Sequence, residues 1–286
     1  MASSHCVAWL LIAYIALHDF AEIQGHAEIQ NRTRRSVGGF EASITEYPFM
    51  ASIRYAGKAI CGGSIISTNA ILTAAHCMKD KDFLDLLYVK VGDSDINFRG
   101  SWHQVAKVLK HEEYQEIDGE QRMMNDIALL KLKEPIKIDN RTTRTIQLLE
   151  ESDNARNYRS GTLIGWGRYP TIVNKTVPNP NGKGTIVQKQ RTTRPSANLR
   201  SVDLNIASDQ ICSELAPLDD LDIQFCTHTF GRQGCKGDSG SPLVVNGKQG
   251  GIGSWILRDC SVDSNTTYFT DVAKFTKWID EKMKIL

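Results

Sequence analysis

The chain has 286 residues, of which 41% are hydrophobic and 23% charged, and 34 Lys or Arg face 33 Asp or Glu for a net charge of +1. That composition excludes a disordered chain, and the near-neutral balance argues against nucleic acid or an anionic membrane surface as the main partner. The length suits one or two domains with ample surface to bury in a core.

Residues 7–17 form an apolar run. It is too short to span a bilayer and sits where the hydrophobic region of a secretory signal belongs, although no Lys or Arg precedes it. We take 1–21 as the signal, with Ala16, Ala21 and Ala27 as competing ends. No second long apolar run follows, so no membrane partner is expected. A basic run, Arg32, Arg34 and Arg35, leads into Ser36-Val37-Gly38-Gly39.

The body reads as short strands. Segments 59–67, 86–91, 102–111, 127–132, 161–166, 199–206 and 241–255 are rich in Val, Ile, Leu and Trp, with Gly, Asn, Asp and Pro between them. This pattern predicts an all-β fold of closed barrels. One helix is expected, over 273–286, where Phe275, Trp278, Ile279 and Met283 recur at helical spacing as a packing stripe. Residues 168–200 hold seven basic residues, no acidic ones and four of the eight prolines. Such sequence predicts a long exposed loop. Its default reading is a solvated insert; its charge also suits an exosite for an acidic macromolecule.

Seven cysteines are present. Cys6 lies in the signal, and the remaining six form an even set, which in an exported chain reads as disulfides. Six cysteines allow 15 pairings, and a zinc site is disfavoured because no Cys-x-x-Cys pair occurs. Asn31, Asn140, Asn174 and Asn265 each open an Asn-x-Ser/Thr sequon and are glycosylation candidates.

Three segments carry chemistry. Gly237-Asp238-Ser239-Gly240 offers a hydroxyl flanked by glycines that let the backbone turn its N–H groups toward one spot. A serine needs an adjacent base, a group that orients that base, and donors for the developing oxyanion. His76, in Thr73-Ala74-Ala75-His76-Cys77, is the candidate base, and Asp126, in Asn125-Asp126-Ile127-Ala128, the candidate carboxylate. Each segment alone is weak, since Gly-Asp-Ser-Gly is most often a surface turn.

Together, in the order His, Asp, Ser, these segments resemble the trypsin/chymotrypsin family of serine peptidases over residues 36–286. The resemblance implies two antiparallel six-stranded β-barrels with the active site between them and a C-terminal α-helix. It implies His76, Asp126 and Ser239 as the triad, with Gly237 and Ser239 amides as the oxyanion hole; that mechanism is the family's general template. It selects the disulfides Cys61–Cys77, Cys212–Cys226 and Cys235–Cys260. It implies an inactive precursor, with propeptide 22–35, cut after Arg35 by an activating protease. The freed Ser36 ammonium would then pair with Asp238. Arg32-x-Arg34-Arg35 also resembles the recognition site of furin-type convertases. Relatives usually carry Ile where this chain has Ser36, a change that forfeits about 1.5–3 kcal/mol of burial and is expected to thin the active population.

The resemblance also places a specificity pocket. Gln233 would form its floor, Ile256 and Thr267 its walls, and Ser254-Trp255-Ile256 would offer backbone to an extended substrate. A neutral floor cannot attract Lys or Arg as a carboxylate would, and branched walls exclude aromatic rings, so small or medium aliphatic residues such as Ala, Val or Leu are expected before the cut bond. The implied partners are protein or peptide substrates and serpin-type inhibitors, acting on a secreted, extracellular monomer without cofactor. Some relatives bind calcium in the loop matching 92–104; here Arg99 and Trp102 stand where oxygen ligands are wanted, so no metal is expected. Two rival classes are a weakly active or non-catalytic homologue that binds a partner, and a lipase. The latter would place Ser in Gly-x-Ser-x-Gly with His last in the chain, which this sequence does not.

Overall fold

The computed structural model describes residues 39–286 except 82, 118–121, 181, 217–220, 258–259 and 261–264, and the backbone alone of Pro170 and Arg191. The expected signal, the propeptide, Asn31, Arg35 and Ser36 lie outside the described residues.

After β1 (Phe40–Glu41) come β2 (Met50–Tyr55), β3 (Lys58–Ser67), β4 (Ala70–Thr73), β5 (Leu87–Val91) and β6 (Ser101–Lys110). A small hairpin of β7 (Gln115–Ile117) and β8 (Arg122–Met124) precedes β9 (Ala128–Leu132). Strands β2-β3-β4-β9-β6-β5 form a closed barrel. Its interior is filled by β-branched and leucine side chains with no accessible surface, among them Ile53, Ile65, Ile71, Leu72, Leu129 and Leu130. These residues favour a pleated, buried surface.

The second half contains β10 (Ser160–Gly165), β11 (Tyr169–Pro178), β12 (Thr185–Arg194), β13 (Arg200–Asn205), α1 (Asp209–Leu215), β14 (Gln224–His228), β15 (Pro242–Val245), β16 (Lys248–Ile256) and β17 (Thr266–Asp271). Its main sheet runs β1-β13-β10-β15-β16-β17-β14. Where a second closed barrel was expected, this sheet is an open half-barrel: only an isolated bridge, Ile206 to Thr227, links the residue after β13 to β14. Leu163, Leu204, Phe225, Leu243 and Phe269 fill this second core.

The helix expected at the C-terminus is α2 (Thr276–Ile285), preceded by a 3-10 turn over Val272–Phe275. Phe275 and Ile279 are buried against the first barrel's core, so the last segment of the chain braces its first half. The stretch 241–255 is a hairpin, not one strand: Asn246 and Gly247 have φ of 48° and 77° and turn the chain between β15 and β16, the geometry of a primed two-residue turn. α1 had no stripe long enough to announce it.

Residues 168–200 depart from expectation. They form no loop but a two-stranded antiparallel ribbon, β11 paired with β12 over ten residues each. The reason lies in the β-branched residues of both strands, Thr171, Ile172, Val173, Thr176 and Val177 on β11 and Thr185, Ile186, Val187 and Thr192 on β12, with Thr176 opposite Val187 and Val177 opposite Ile186; such residues favour extended backbone. With both faces largely solvated, no polar–apolar alternation marked it in the sequence. Among the glycosylation candidates, Asn140 and Asn174 are exposed, whereas Asn265 is half-buried and its Oδ1 accepts from Gly231 N at 2.8 Å.

Candidate active site

The site assembles where the barrel and the half-barrel meet. His76 opens a 3-10 turn directly after β4, stapled by the Cys61–Cys77 disulfide. Asp126 sits just before β9, after Asn125 in left-handed conformation (φ 50°). The Asp126 carboxylate grips one residue twice: Oδ1 accepts from the His76 backbone N at 2.9 Å and Oδ2 lies 2.7 Å from His76 Nδ1. Asp126 is 1% exposed. A buried carboxylate without partners would be costly, and this one has a third, while the residue's backbone is held as well. Ser254 Oγ donates to Oδ2 at 2.6 Å, and Thr270 Oγ1 donates to the Asp126 carbonyl at 3.0 Å.

Burial alone would push the Asp126 carboxyl up, but the His76 charge and the hydrogen bonds from His76 and Ser254 outweigh it and hold it below the ordinary carboxylate range. Burial likewise favours neutral His76, yet the Asp126 charge and hydrogen bond prevail, with Glu116 adding to them, and its pKa is raised. A base is active only when neutral. The acid limb of kcat/KM for the processed protein is therefore expected at a pH above the ordinary histidine value of 6.5. A pH–rate profile checks this.

Ser239 reaches the site on a sharply turned loop. Gly240 has φ 74°, and a Cβ there would stand 2.2 Å from Thr73 Oγ1 and 2.5 Å from the Gly62 carbonyl. Only glycine lets the serine loop press this closely on the first barrel. Ser239 O then accepts from Gly62 N at 2.8 Å. Gly237 has φ 99°, and neither its N–H nor that of Ser239 donates to a protein acceptor among the described residues. No hydrogen bond joins Ser239 to His76 among the described residues; contacts of this kind tighten when substrate binds. One group of His and Cys side chains close enough for a metal, Cys61, His76 and Cys77, consists of this histidine and a disulfide, whose sulfurs are already bonded.

Ser254 is the residue whose role the sequence reading missed. It was expected to offer backbone only. The β16–β17 ladder slips between Gly253 and Trp255, leaving Ser254 out of register. Bulges re-aim side chains in this way, and here the hydroxyl is turned onto Asp126. Ser254→Ala is expected to cut kcat/KM roughly 10–100-fold, the loss of a hydrogen bond to a buried charge. Steady-state kinetics on folded variant protein tests it.

Beside Ser239 lies a cavity of about 110 Å³ lined by Gly234, Ser254, Trp255, Ile256, Thr267 and neighbours. Ile256 and Thr267 are directly paired across β16 and β17, and Thr267 Oγ1 accepts from Gly234 N at 2.8 Å. Trp255 stacks on Tyr268 with centroids 3.7 Å apart. Gln233, expected at the floor, does not line this cavity. It lines a smaller one, of about 30 Å³, together with Asp238 and Gly39. Its side chain is buried, and neither amide atom has a partner among the described residues. The Asp238 carboxylate there accepts from Gly167 N at 2.8 Å and Cys235 N at 3.0 Å. Burial raises its pKa to about 6, against these hydrogen bonds and Arg200.

The disulfides are Cys61–Cys77, Cys212–Cys226 and Cys235–Cys260. The second ties α1 to β14, and the third anchors the serine loop.

A family model described as Trypsin matches residues 36–279. The chain belongs to the trypsin family. It is 34% identical to Hypodermin-B of Hypoderma lineatum over 260 residues, covering 87% of this chain and 88% of that one. A trypsin of Phaedon cochleariae is 29% identical, over 87% of this chain and 88% of its own. Among solved structures, neuropsin, a serine protease expressed in the limbic system of mouse brain, matches with a TM-score of 0.66 and 26% identity, over 86% of this chain and 98% of that one. Membership of the trypsin family makes the chain a serine endopeptidase, a hydrolase acting on protein substrates.

Proposed function

We propose that this trypsin-family member is secreted as an inactive precursor and, once cut after Arg35, hydrolyses peptide bonds through His76, Asp126 and Ser239. The observation that carries the reading is the 2.7 Å contact of His76 Nδ1 with buried Asp126. With its Nδ1 proton donated to Asp126, His76 offers Nε2, which rests 3.8 Å from Cys77 Sγ, to take the proton of Ser239 as Oγ attacks the scissile carbonyl. The resulting tetrahedral oxyanion is received by the Gly237 and Ser239 N–H groups, and His76 returns the proton to the leaving amine. Water then repeats the sequence on the acyl-enzyme. β16 loses its β15 partner beyond Ile252, so Ser254 to Ile256 carry an open edge that an extended substrate can pair with.

Ile256 and Thr267 favour small or medium aliphatic residues before the cut bond. A panel of peptide anilides checks this: Ala, Val or Leu should exceed Phe or Tyr, with Arg and Lys slowest. Ile256→Gly with Thr267→Gly should raise Phe cleavage about 10–100-fold, relieving an overpacking cost of about 1–3 kcal/mol. Fast cleavage after Arg would sink the assignment.

A weakly active or non-catalytic homologue is the second reading, favoured by the open contact between Ser239 and His76. Labelling of the processed protein at Ser239 by a fluorophosphonate probe supports the enzyme; no labelling supports the binder.

A further inference from the structure

Residues 154–202 contain nine Lys or Arg and no Asp or Glu, in a chain of net charge +1. Much of this excess stands on the ribbon β11–β12. Lys175, Lys183, Lys189 and Arg194 are exposed, and none has an acidic partner among the described residues. Several cations elsewhere are paired, as in Lys79 with Glu116, Lys274 with Asp222 and Lys282 with Glu112. Uncompensated like charges on a narrow ribbon repel one another, so a partner of opposite sign would relieve the arrangement.

The ribbon also has unpartnered backbone and apolar surface. Among the described residues its two strands pair only with each other, leaving both outer edges open. Ile172 and Val187 are 62% and 65% exposed. Its base is fastened to the serine loop: Arg168 N donates to Lys236 O at 2.9 Å, and the Arg168 guanidinium holds the Thr193 carbonyl at 2.6 Å. Lys236 itself is three residues before Ser239. With ten residues per strand, the ribbon reaches about 30 Å, far beyond the span of a short peptide in the cleft.

We propose that β11–β12 is a docking ribbon for an acidic, extended segment of a protein substrate, which it presents to the adjoining active site. The inference rests on the endopeptidase reading and deepens it to a substrate class. Open strand edges give main-chain pairing, and the cations select acidic sequence.

The test uses processed wild-type protein and a Lys175→Gln, Lys189→Gln, Arg194→Gln triple variant, with equal melting temperatures as the folding control. Three substrates are compared: a short peptide anilide, a protein with an acidic stretch beside its cleavable bond, and that protein with the stretch neutralised. At low salt the variant should cleave the acidic protein about tenfold more slowly and the other two at wild-type rate. The difference should vanish near 0.5 M salt, as exposed charges are screened. An equal loss on all three substrates would make the ribbon a support of the active site and overturn the proposal, as would no loss on any. Inhibition by heparin that the triple variant escapes, with both proteins cleaved alike, would assign the ribbon to a sulfated polysaccharide instead and also overturn it. The anilide arm reads peptidase activity by itself, so failure of the proposal and failure of the endopeptidase reading are separately visible.

Discussion

Ser239→Ala is expected to lower kcat/KM by on the order of 10⁵–10⁶-fold with folding intact, since a nucleophile and its base act as one unit. His76→Ala should cost about as much, and the double substitution scarcely more than either alone. Asp126→Asn should cost less in the chemical step while moving the acid limb down in pH, because the carboxylate is what raises the His76 pKa. Asp126 is also the acceptor for the His76 amide and Ser254, so its variant must be checked for folding separately. The measurement is steady-state hydrolysis of a peptide amide by each purified, processed variant. Ser239→Ala protein cleaving at the wild-type rate would overturn the triad.

Processing after Arg35 is expected to act as an on–off switch. Arg35→Gln protein should stay uncut and inactive. Asp238→Ala protein, though cut, should fall by on the order of 10²–10³-fold, the range set by removing one member of a buried ion pair. Edman sequencing of active protein should read Ser-Val-Gly-Gly-Phe. The two forms should also differ in pH dependence. In the unprocessed chain burial raises the Asp238 carboxyl from 3.8 to about 6, so the folded state keeps a proton that the unfolded state has already released. Its stabilising effect is full below about pH 4 and is lost as pH rises toward 6. An ammonium paired with Asp238 would remove that penalty. Melting temperatures at pH 4 and 7 should therefore fall further for the precursor than for the processed form.

The same site sets two arguments about Ser36 against each other. Lost burial argued that Ile in its place would raise the active fraction. The cavity beside Asp238 and Gly39 is about 30 Å³, room for roughly two water-sized groups, and it holds the unpartnered Gln233 amide. An ammonium and a hydroxymethyl group suit that space better than a branched hydrocarbon. Titration of active sites in Ser36→Ile protein decides: a higher active fraction supports the burial argument, a lower one the cavity argument.

The sequence by itself determined whatever depends on short spacing. Thr73 to Cys77, Asn125 to Ala128 and Gly237 to Gly240 each carry their chemistry within a few residues, so the candidate triad was legible before any fold was drawn. The stripe of Phe275, Ile279 and Met283 likewise announced α2, because helical periodicity is local. Tertiary structure alone decided what depends on long range. Ser254 meets Asp126 across 128 residues of sequence, and only a bulge in β16, invisible in composition, aims its hydroxyl there. Gln233 was assigned to one cavity by its offset from Ser239 and lies in the neighbouring one, because a side-chain direction is set by packing and not by spacing. The ribbon of β11 and β12 was hidden for a related reason. Its pairing is local, but with no core beneath it the strands carry no alternation of polar and apolar residues, and the charge that makes it unusual also made it read as a loop.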